Sequence, residues 1–311
     1  MLLPTALDAV FAGVLGLLVG SFLNVVVYRF PIVLGREWWG DVHGMLDDGD
    51  MHRRVFGSEP AATLVAEKTA LRQALDNLSP LSLSKPRSRC PHCGHQIVWY
   101  ENIPVLSYLA LRGRCSACKA PISMRYPLVE AITSAFFVAT ALHFGFGWLG
   151  LAWSAFAALL IALFLIDLDT MFLPDELTYV LRWLGLGLAA LGWTVPLSDA
   201  VWGAIFGYLS LWSVYQVHFR LTGKVGMGHG DFKLMAALGA WFGAHYLLAL
   251  VLLSSVVGSV IGGAMLVSGR LANRETAIPF GPYIAGAGLA ALAIGPQQLA
   301  QWIPFAFPFG S

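Results

Sequence analysis

Eight stretches of this sequence come close to the length and hydrophobicity needed to cross a bilayer, and they decide most of what the chain can become. A spanning helix needs about 20 predominantly apolar residues. Inside lipid, every backbone N–H and C=O must be paired within the protein, which leaves helices or a closed barrel. The runs fall at 7–28, 127–144, 150–166, 177–193, 200–217, 232–244, 246–268 and 280–297. They predict an all-α polytopic membrane protein with about eight transmembrane helices. Only Gly243, Ala244 and His245 separate the sixth run from the seventh. The chain is 57% apolar and only 12% charged, about half the charge of a soluble domain. That excludes a soluble enzyme, a disordered chain, a collagen-like fibre and a free nucleic-acid binder. The first run is not expected to be a cleaved signal: it lacks a basic start, carries Asp8, and has no small-x-small site before Arg29. Gly13, Gly16 and Gly20 have the spacing of a helix-packing face.

The net charge of +1 averages two unlike parts. Residues 29–125 hold 13 of the 19 Lys/Arg and 9 of the 18 Asp/Glu, an excess of four positive charges. The remaining 214 residues hold six against nine. Basic loops stay in the cytoplasm, so the insert is expected there. Eight spans then bring 167–176, 218–231 and 269–279 to the same side, with Arg220, Lys224, Arg270 and Arg274, while the opposite loops at 145–149 and 194–199 carry no Lys or Arg. Both termini are expected outside the cytoplasm. The expected domains are a first transmembrane helix over 1–30, a cytoplasmic insert over 31–125, and a seven-helix core over 126–311.

All four cysteines lie in the insert, as Cys90-Pro-His-Cys93 and Cys115-Ser-Ala-Cys118. Two CxxC pairs at this separation match zinc-ribbon spacing and can present four thiolates tetrahedrally. A pair of disulfides does not suit a reducing cytoplasm. Structural zinc on Cys90, Cys93, Cys115 and Cys118 is therefore expected, with Gly94 and Lys119 completing the two tight turns and His92 and His95 as surface residues. Residues 36–59 are polar, with Trp38-Trp39 and an acidic patch at Asp47, Asp48 and Asp50, which is expected to be a solvated loop rather than a site for a basic partner segment. Residues 61–78 predict an amphipathic helix with Leu64, Leu71, Leu75 and Leu78 on one side, lying on the zinc module or the membrane.

Acidic residues in or beside spans are costly and mark function. Asp167 and Asp169 end the third run, Asp175 and Glu176 follow Pro174, and Gly226-Met-Gly228-His-Gly230-Asp231 precedes the sixth. By the topology both groups sit at the cytoplasmic surface. A helix N-cap accounts for Asp175, and solvation of a loop accounts for Asp169. Asp231 is different: a bare cap does not need glycines, which permit close backbone approach and φ > 0. Asp167 and Asp169, two apart, point to different helix faces, so only one can readily meet Asp231. Two facing carboxylates share a proton, because like charges at a few ångströms cannot both ionise. That arrangement suits aspartic proteolysis, in which one member activates water and the other polarises the scissile carbonyl.

In its motifs the chain resembles the type IV prepilin leader peptidases. The likeness rests on Gly20-Ser-Phe-Leu-Asn24 with Arg29 and Pro31, the CxxC pairs, Glu101-Asn-Ile-Pro104, and Leu106-Ser-Tyr-Leu109. It continues through Arg125-Tyr-Pro-Leu-Val-Glu130, Asp167 to Asp175, Gly228-His-Gly-Asp231, and Ile278-Pro-Phe-Gly-Pro282. The resemblance implies that Asp167, rather than Asp169, pairs with Asp231 as the catalytic dyad. It implies a bifunctional bacterial inner-membrane enzyme that removes the basic leader of type IV prepilins and type II secretion pseudopilins, after a glycine and usually before a phenylalanine. The new α-amino group is then methylated with S-adenosylmethionine. Gly228 and Gly230 are expected to admit the extended cleavage segment.

Methyl transfer leaves a weaker trace, since no GxGxxG follows a strand. The family associates it with a Gly-Lys pair before the third cysteine; here Gly113-Arg114 stands there. Arg keeps the charge but cannot act as a base. Glu101 and Asn102 are further candidates, with a structural turn before Pro104 as their plain alternative. Two other functions compete with the enzyme. One is a transporter that uses the aspartates as a proton or cation relay, although such carboxylates usually lie near the midplane and within inverted repeats. The other is a zinc-bearing membrane scaffold, which leaves the glycine-flanked Asp231 unexplained. No nucleic-acid partner is expected.

Overall fold

The computed structural model describes residues 6–269, 278–302 and 304–306. Among these the protein is helical, with only two isolated β-bridges in the cysteine insert. The order is α1 (Ala6–Asp47), α2 (Gly49–Phe56), α3 (Ala62–Asp76), the cysteine module with α4 (Leu106–Ala110), then α5 (Arg125–Phe144), α6 (Trp148–Thr170), α7 (Asp175–Ala190), α8 (Leu197–Thr222), α9 (His229–Phe242), α10 (Leu247–Val267), α11 (Gly281–Ile294) and α12 (Pro296–Trp302). Each of the eight apolar runs lies on its own long helix. Four of those helices (α1, α5, α6 and α10 with its preceding turn) are long and apolar enough to cross a membrane. The break between the sixth and seventh runs falls where expected, at a left-handed Gly243 followed by a short 3-10 turn. Arg270 and Arg274 lie outside the described residues.

Glycine sets the helix seams. On α1, a Cβ at Gly16 would stand 2.6 Å from the Ser134 Cα of α5, and one at Gly20 would stand 2.6 Å from the Glu130 Cα. Ser134 Oγ donates to the Gly13 carbonyl at 2.8 Å, and Asn24 Nδ2 donates to the Tyr126 carbonyl at 3.2 Å. The expected packing face is therefore the α1–α5 seam.

α9 sits at the centre. It is buried from Asp231 to Phe242 save for the half-buried Lys233, as expected for a helix apolar all round. Gly203 of α8 and Gly239 of α9 approach so closely that a Cβ on either would lie 2.1 Å from the other's carbonyl oxygen. Gly185 of α7 accommodates Trp241, whose Nε1 donates to the Leu181 carbonyl at 2.8 Å, and Gly288 of α11 accommodates Leu238.

Three expectations for the insert are corrected. α1 does not end near residue 30 but continues to Asp47, so residues 36–47 are helix, not loop. The acidic patch is locally satisfied: Lys68 Nζ lies 2.8 Å from Asp47 and holds its carboxyl below the usual range, Asp48 caps α2 by accepting from the Met51 N–H at 2.9 Å, and Asp50 pairs with Arg53. α3 lies along the extension of α1, with Leu64, Leu71 and Leu75 half-buried, while Leu78 falls beyond the helix end and is exposed.

The Gly20 seam is testable against a glycine of the same helix that has nothing within 4 Å, Gly35. In thermal denaturation of the detergent-solubilised protein, Gly20→Ala should cost about 1–3 kcal/mol through overpacking against backbone. Gly35→Ala should be neutral or stabilise by up to about 1 kcal/mol.

Candidate active site and cysteine cluster

α6 carries Asp167 in its last turn. The chain reverses at Met171, whose left-handed φ of +54° lets its N–H donate to the Asp167 carbonyl at 2.8 Å. It then runs through Leu173 to Pro174, the N-cap of α7. α9 begins after Gly228 and places Asp231 in its first turn, with the Asp231 N–H donating to the Gly228 carbonyl at 3.3 Å. Asp167 is 4% exposed and Asp231 6%. The two carboxyls are near enough for their charges to repel, and both line one cleft of about 590 Å³ at the insert end of the bundle. Asp167 accepts the backbone N–H of Gly281, while its Oδ2 has no hydrogen-bond partner among the described residues. A buried carboxylate oxygen without a partner is costly.

The glycines before Asp231 serve a narrower purpose than expected. None of Gly226, Gly228 and Gly230 adopts a left-handed conformation. A Cβ on Gly230 would stand 2.8 Å from the Leu173 Cβ, so its close approach is to its own chain. Gly228 has free space apart from Asp231 Oδ2, 3.7 Å from where its Cβ would lie. Asp231 is not a cap.

The other carboxylates at this end have cations of their own, which the sequence did not disclose. Asp175 is the first residue of α7 and not its cap; Lys233 Nζ donates to both its oxygens, at 2.6 and 2.7 Å, and lies over the Tyr179 ring. Asp169 does not merely solvate a loop: Arg125 grips it at two points, 2.7 and 2.8 Å. Among the described residues that line the cleft, Lys233 is the only Lys or Arg, against Asp167, Asp175, Glu176 and Asp231. The cleft is therefore acidic within, and its walls are apolar: Met171, Phe172, Val225, Met227 and Phe280. Trp38 joins them from the extension of α1, 47% exposed and edge-on to Phe172 at 5.1 Å between ring centres. Only the unforeseen length of α1 brings Trp38 here.

In the insert, the four cysteine sulfurs lie within 4.8 Å of one another, with Cys90 and Cys118 3.8 Å apart. A tetrahedron with Zn–S bonds of about 2.3 Å has an edge of about 3.8 Å. The two knuckles repeat one geometry. Cys90 N–H donates to His95 O and Gly94 N–H to Cys90 O; Cys115 N–H donates to Ala120 O and Lys119 N–H to Cys115 O, all at 2.9–3.0 Å. Gly94 and Lys119 occupy the same left-handed position, at φ +72° and +61°, as their placement in sequence implied. The N–H groups of Cys118 and Ala117 hold the Cys115 thiol down to about 6. For Cys93 the N–H of His95 acts the same way, but desolvation and the neighbouring sulfurs outweigh it and push the thiol up to about 11. Four thiolates thus need a cation between them, and the cluster has the donors and dimensions for a metal such as zinc.

His95 is not a plain surface residue: its Nε2 lies 3.1 Å from Glu101 Oε2 and 3.3 Å from Ser116 Oγ. Glu101, whose carboxyl Ser116 and then His95 hold below the usual range against its desolvation, also accepts the Val98 N–H at 3.2 Å. It ties the two knuckles together. Gly113 is left-handed at φ +66°, and a Cβ there would lie 2.7 Å from the Tyr108 hydroxyl. Of the four methyl-transfer candidates, Glu101 and Gly113 therefore have structural work, whereas Asn102 and Arg114 are exposed. The insert is joined to the bundle by buried Glu130, which accepts the Val105 N–H at 2.7 Å.

A polytopic helical bundle with two buried, mutually repelling aspartates opening on one end of the bundle has the arrangement of a membrane aspartic peptidase. Residues 14–144 match the bacterial peptidase A24 N-terminal domain, and residues 154–263 match the type IV leader peptidase family. The chain is 48% identical over 295 residues to the prepilin leader peptidase/N-methyltransferase of Stutzerimonas stutzeri, covering 94% of this chain and 93% of that protein. It is 48% identical to the protein of the same name from Pseudomonas aeruginosa (94% and 92% covered), and 46% to that of Aeromonas hydrophila (92% and 90%). No solved structure matches. The chain belongs to the type IV leader peptidase family.

The Arg125–Asp169 pair is about 40% and 36% exposed, so solvent screens it. Asp169→Asn should lower stability by no more than about 1 kcal/mol, read as a small shift in the thermal midpoint of the detergent-solubilised protein.

Proposed function

We propose that the protein removes the leader peptide of prepilins and then methylates the new α-amino group, with Asp167 and Asp231 as the catalytic dyad. The observation that carries the peptidase assignment is the juxtaposition of two buried carboxyls, neither paired with a cation among the described residues, in an acidic cleft with apolar walls. The reaction follows from that pair. The ionised member takes a proton from a water molecule, whose oxygen attacks the scissile carbonyl carbon. The protonated member donates a hydrogen bond to the carbonyl oxygen, and the C–N bond breaks as the departing nitrogen receives a proton.

A prepilin joins a basic leader to an apolar helix. The acids of the cleft suit the leader; the aromatic wall of Trp38, Phe172 and Phe280 suits the start of the apolar segment. Gly228, open to the cleft, admits the extended backbone. Pseudopilins share the substrate chemistry and are included. We place the active end and the 31–125 insert in the cytoplasm on the distribution of Lys and Arg, in the inner membrane of a bacterium, with eight spans: a first helix, then seven forming the peptidase core. Both carboxyls lie at one end of the bundle, against the midplane position of a transporter relay.

S-adenosylmethionine, when bound, would supply the methyl group for the freed α-amino nitrogen. Asn102 and Arg114, exposed beside the knuckles, are the binding candidates. Zinc on Cys90, Cys93, Cys115 and Cys118 has a structural role, holding the insert together.

Incubation of the purified protein with a prepilin, read by mass spectrometry, should show loss of the leader and, only with S-adenosylmethionine, gain of one methyl group. Asp167→Asn or Asp231→Asn should slow cleavage more than about a thousandfold, whereas Asp169→Asn should retain it; full cleavage by either dyad variant refutes the assignment. Glu101→Ala should weaken zinc binding on the order of tenfold, read by competition with a chromophoric chelator, and leave cleavage in place.

A further inference from the structure

The site contains a glycine whose presence the dyad chemistry does not by itself explain. Gly281 opens α11, and its position follows from the amides around it. Pro282 has no N–H, and the N–H groups of Tyr283 and Ile284 both donate to the Phe280 carbonyl, at 3.0 and 3.3 Å. The Gly281 N–H is thus the first-turn donor left free, and it donates to the Asp167 carboxyl. Gly281 is buried and does not adopt a positive φ, so its backbone freedom is not what the site uses. Space is. A Cβ here would stand 2.6 Å from Asp167 Oδ2 and 3.1 Å from its Cγ. Oδ2 is the buried oxygen that has no partner among the described residues. The start of α11 therefore packs directly on the Asp167 carboxyl, with no room for a side chain between them.

We propose that Gly281 is a positioning residue of the aspartate dyad: its N–H orients the Asp167 carboxyl, and its missing side chain gives Oδ2 the space it occupies beside α11. The inference rests on the dyad assignment above. Leu173 offers a competing explanation, since its Cδ1 would lie 2.9 Å from the same Cβ. On that account Gly281 only makes room for a packed leucine.

The test compares full-length variants in detergent, cleaving a prepilin substrate, with Gly288→Ala as the packing control. Gly288 lies on the same helix, and the nearest atoms to its Cβ would be side-chain methyls of Leu238 and Leu160, at 2.7 and 2.9 Å. Gly281→Ala should lower kcat on the order of tenfold to a hundredfold, as displaced catalytic groups do, with KM changed less than about twofold. Gly288→Ala should lower the thermal midpoint and keep the kcat of the folded fraction. Adding Leu173→Ala to Gly281→Ala should not restore kcat. The proposal is overturned if Gly281→Ala turns over at the wild-type rate, if its loss merely follows the folded fraction, or if Leu173→Ala restores it. Asp167→Asn run in parallel separates the two levels: an active Asp167→Asn sinks the dyad itself, whereas an inactive one beside an unimpaired Gly281→Ala sinks only the role of Gly281.

Discussion

Backbone-to-backbone contact at glycine holds this bundle together. Within lipid, apolar surface gains little from leaving one hydrocarbon for another, so helices associate through close van der Waals packing at small residues. α9 shows the consequence. Three of its neighbours meet it through glycines, at Gly185 of α7, Gly203 and Gly207 of α8, and Gly288 of α11. Trp241 fills the remaining space and is tied to α7 by its indole N–H. The helix so gripped is only 14 residues long, and its start can hardly shift without breaking several of these contacts. Asp231 rides on that start. The position of one carboxyl is thus an outcome of packing along the whole helix.

Electrostatics then separates two acids from the rest. Asp175 has Lys233, and Asp169 has both arms of Arg125. Asp167 and Asp231, both buried and lining one cleft, have no such cation among the described residues. Two carboxylates so placed cannot both stay ionised. The local ion pairs account for Asp169 and Asp175.

The insert is built on a different principle. It has almost no apolar core of its own, and its order comes from two near-identical cysteine knuckles bridged by Glu101, His95 and Ser116. Glu130 anchors it to the bundle through the Val105 amide, and Arg29 reaches from α1 to the Ser82 carbonyl at 3.1 Å. The extension of α1 leaves the membrane region without a break, carries Trp38 to the cleft and supports α3. The acidic cleft and the cysteine module are therefore attached to one continuous helix.

The eight apolar runs, the metal-binding spacing of the cysteines, the glycine face of α1 and the meeting of Asp167 and Asp231 at one end of the bundle were all legible in the sequence. Each rests on a short-range regularity: hydropathy over a span, CxxC separation, small residues at helical spacing, or a family motif. Beyond residue 35 the same approach failed, because polar residues on an exposed helical extension look like loop when hydropathy is the guide. Partners were equally invisible. Nothing near Asp169 in sequence indicates Arg125, 44 positions away, and Asp175 resembled a cap because Lys233 lies on another helix. Gly281 stood in a recognisable motif, but its relation to Asp167 exists only once α11 is docked against α6. Local chemistry is written along the chain; which charges neutralise each other, and which glycine makes room for a carboxylate, depend on helices brought together across distances that no local pattern encodes.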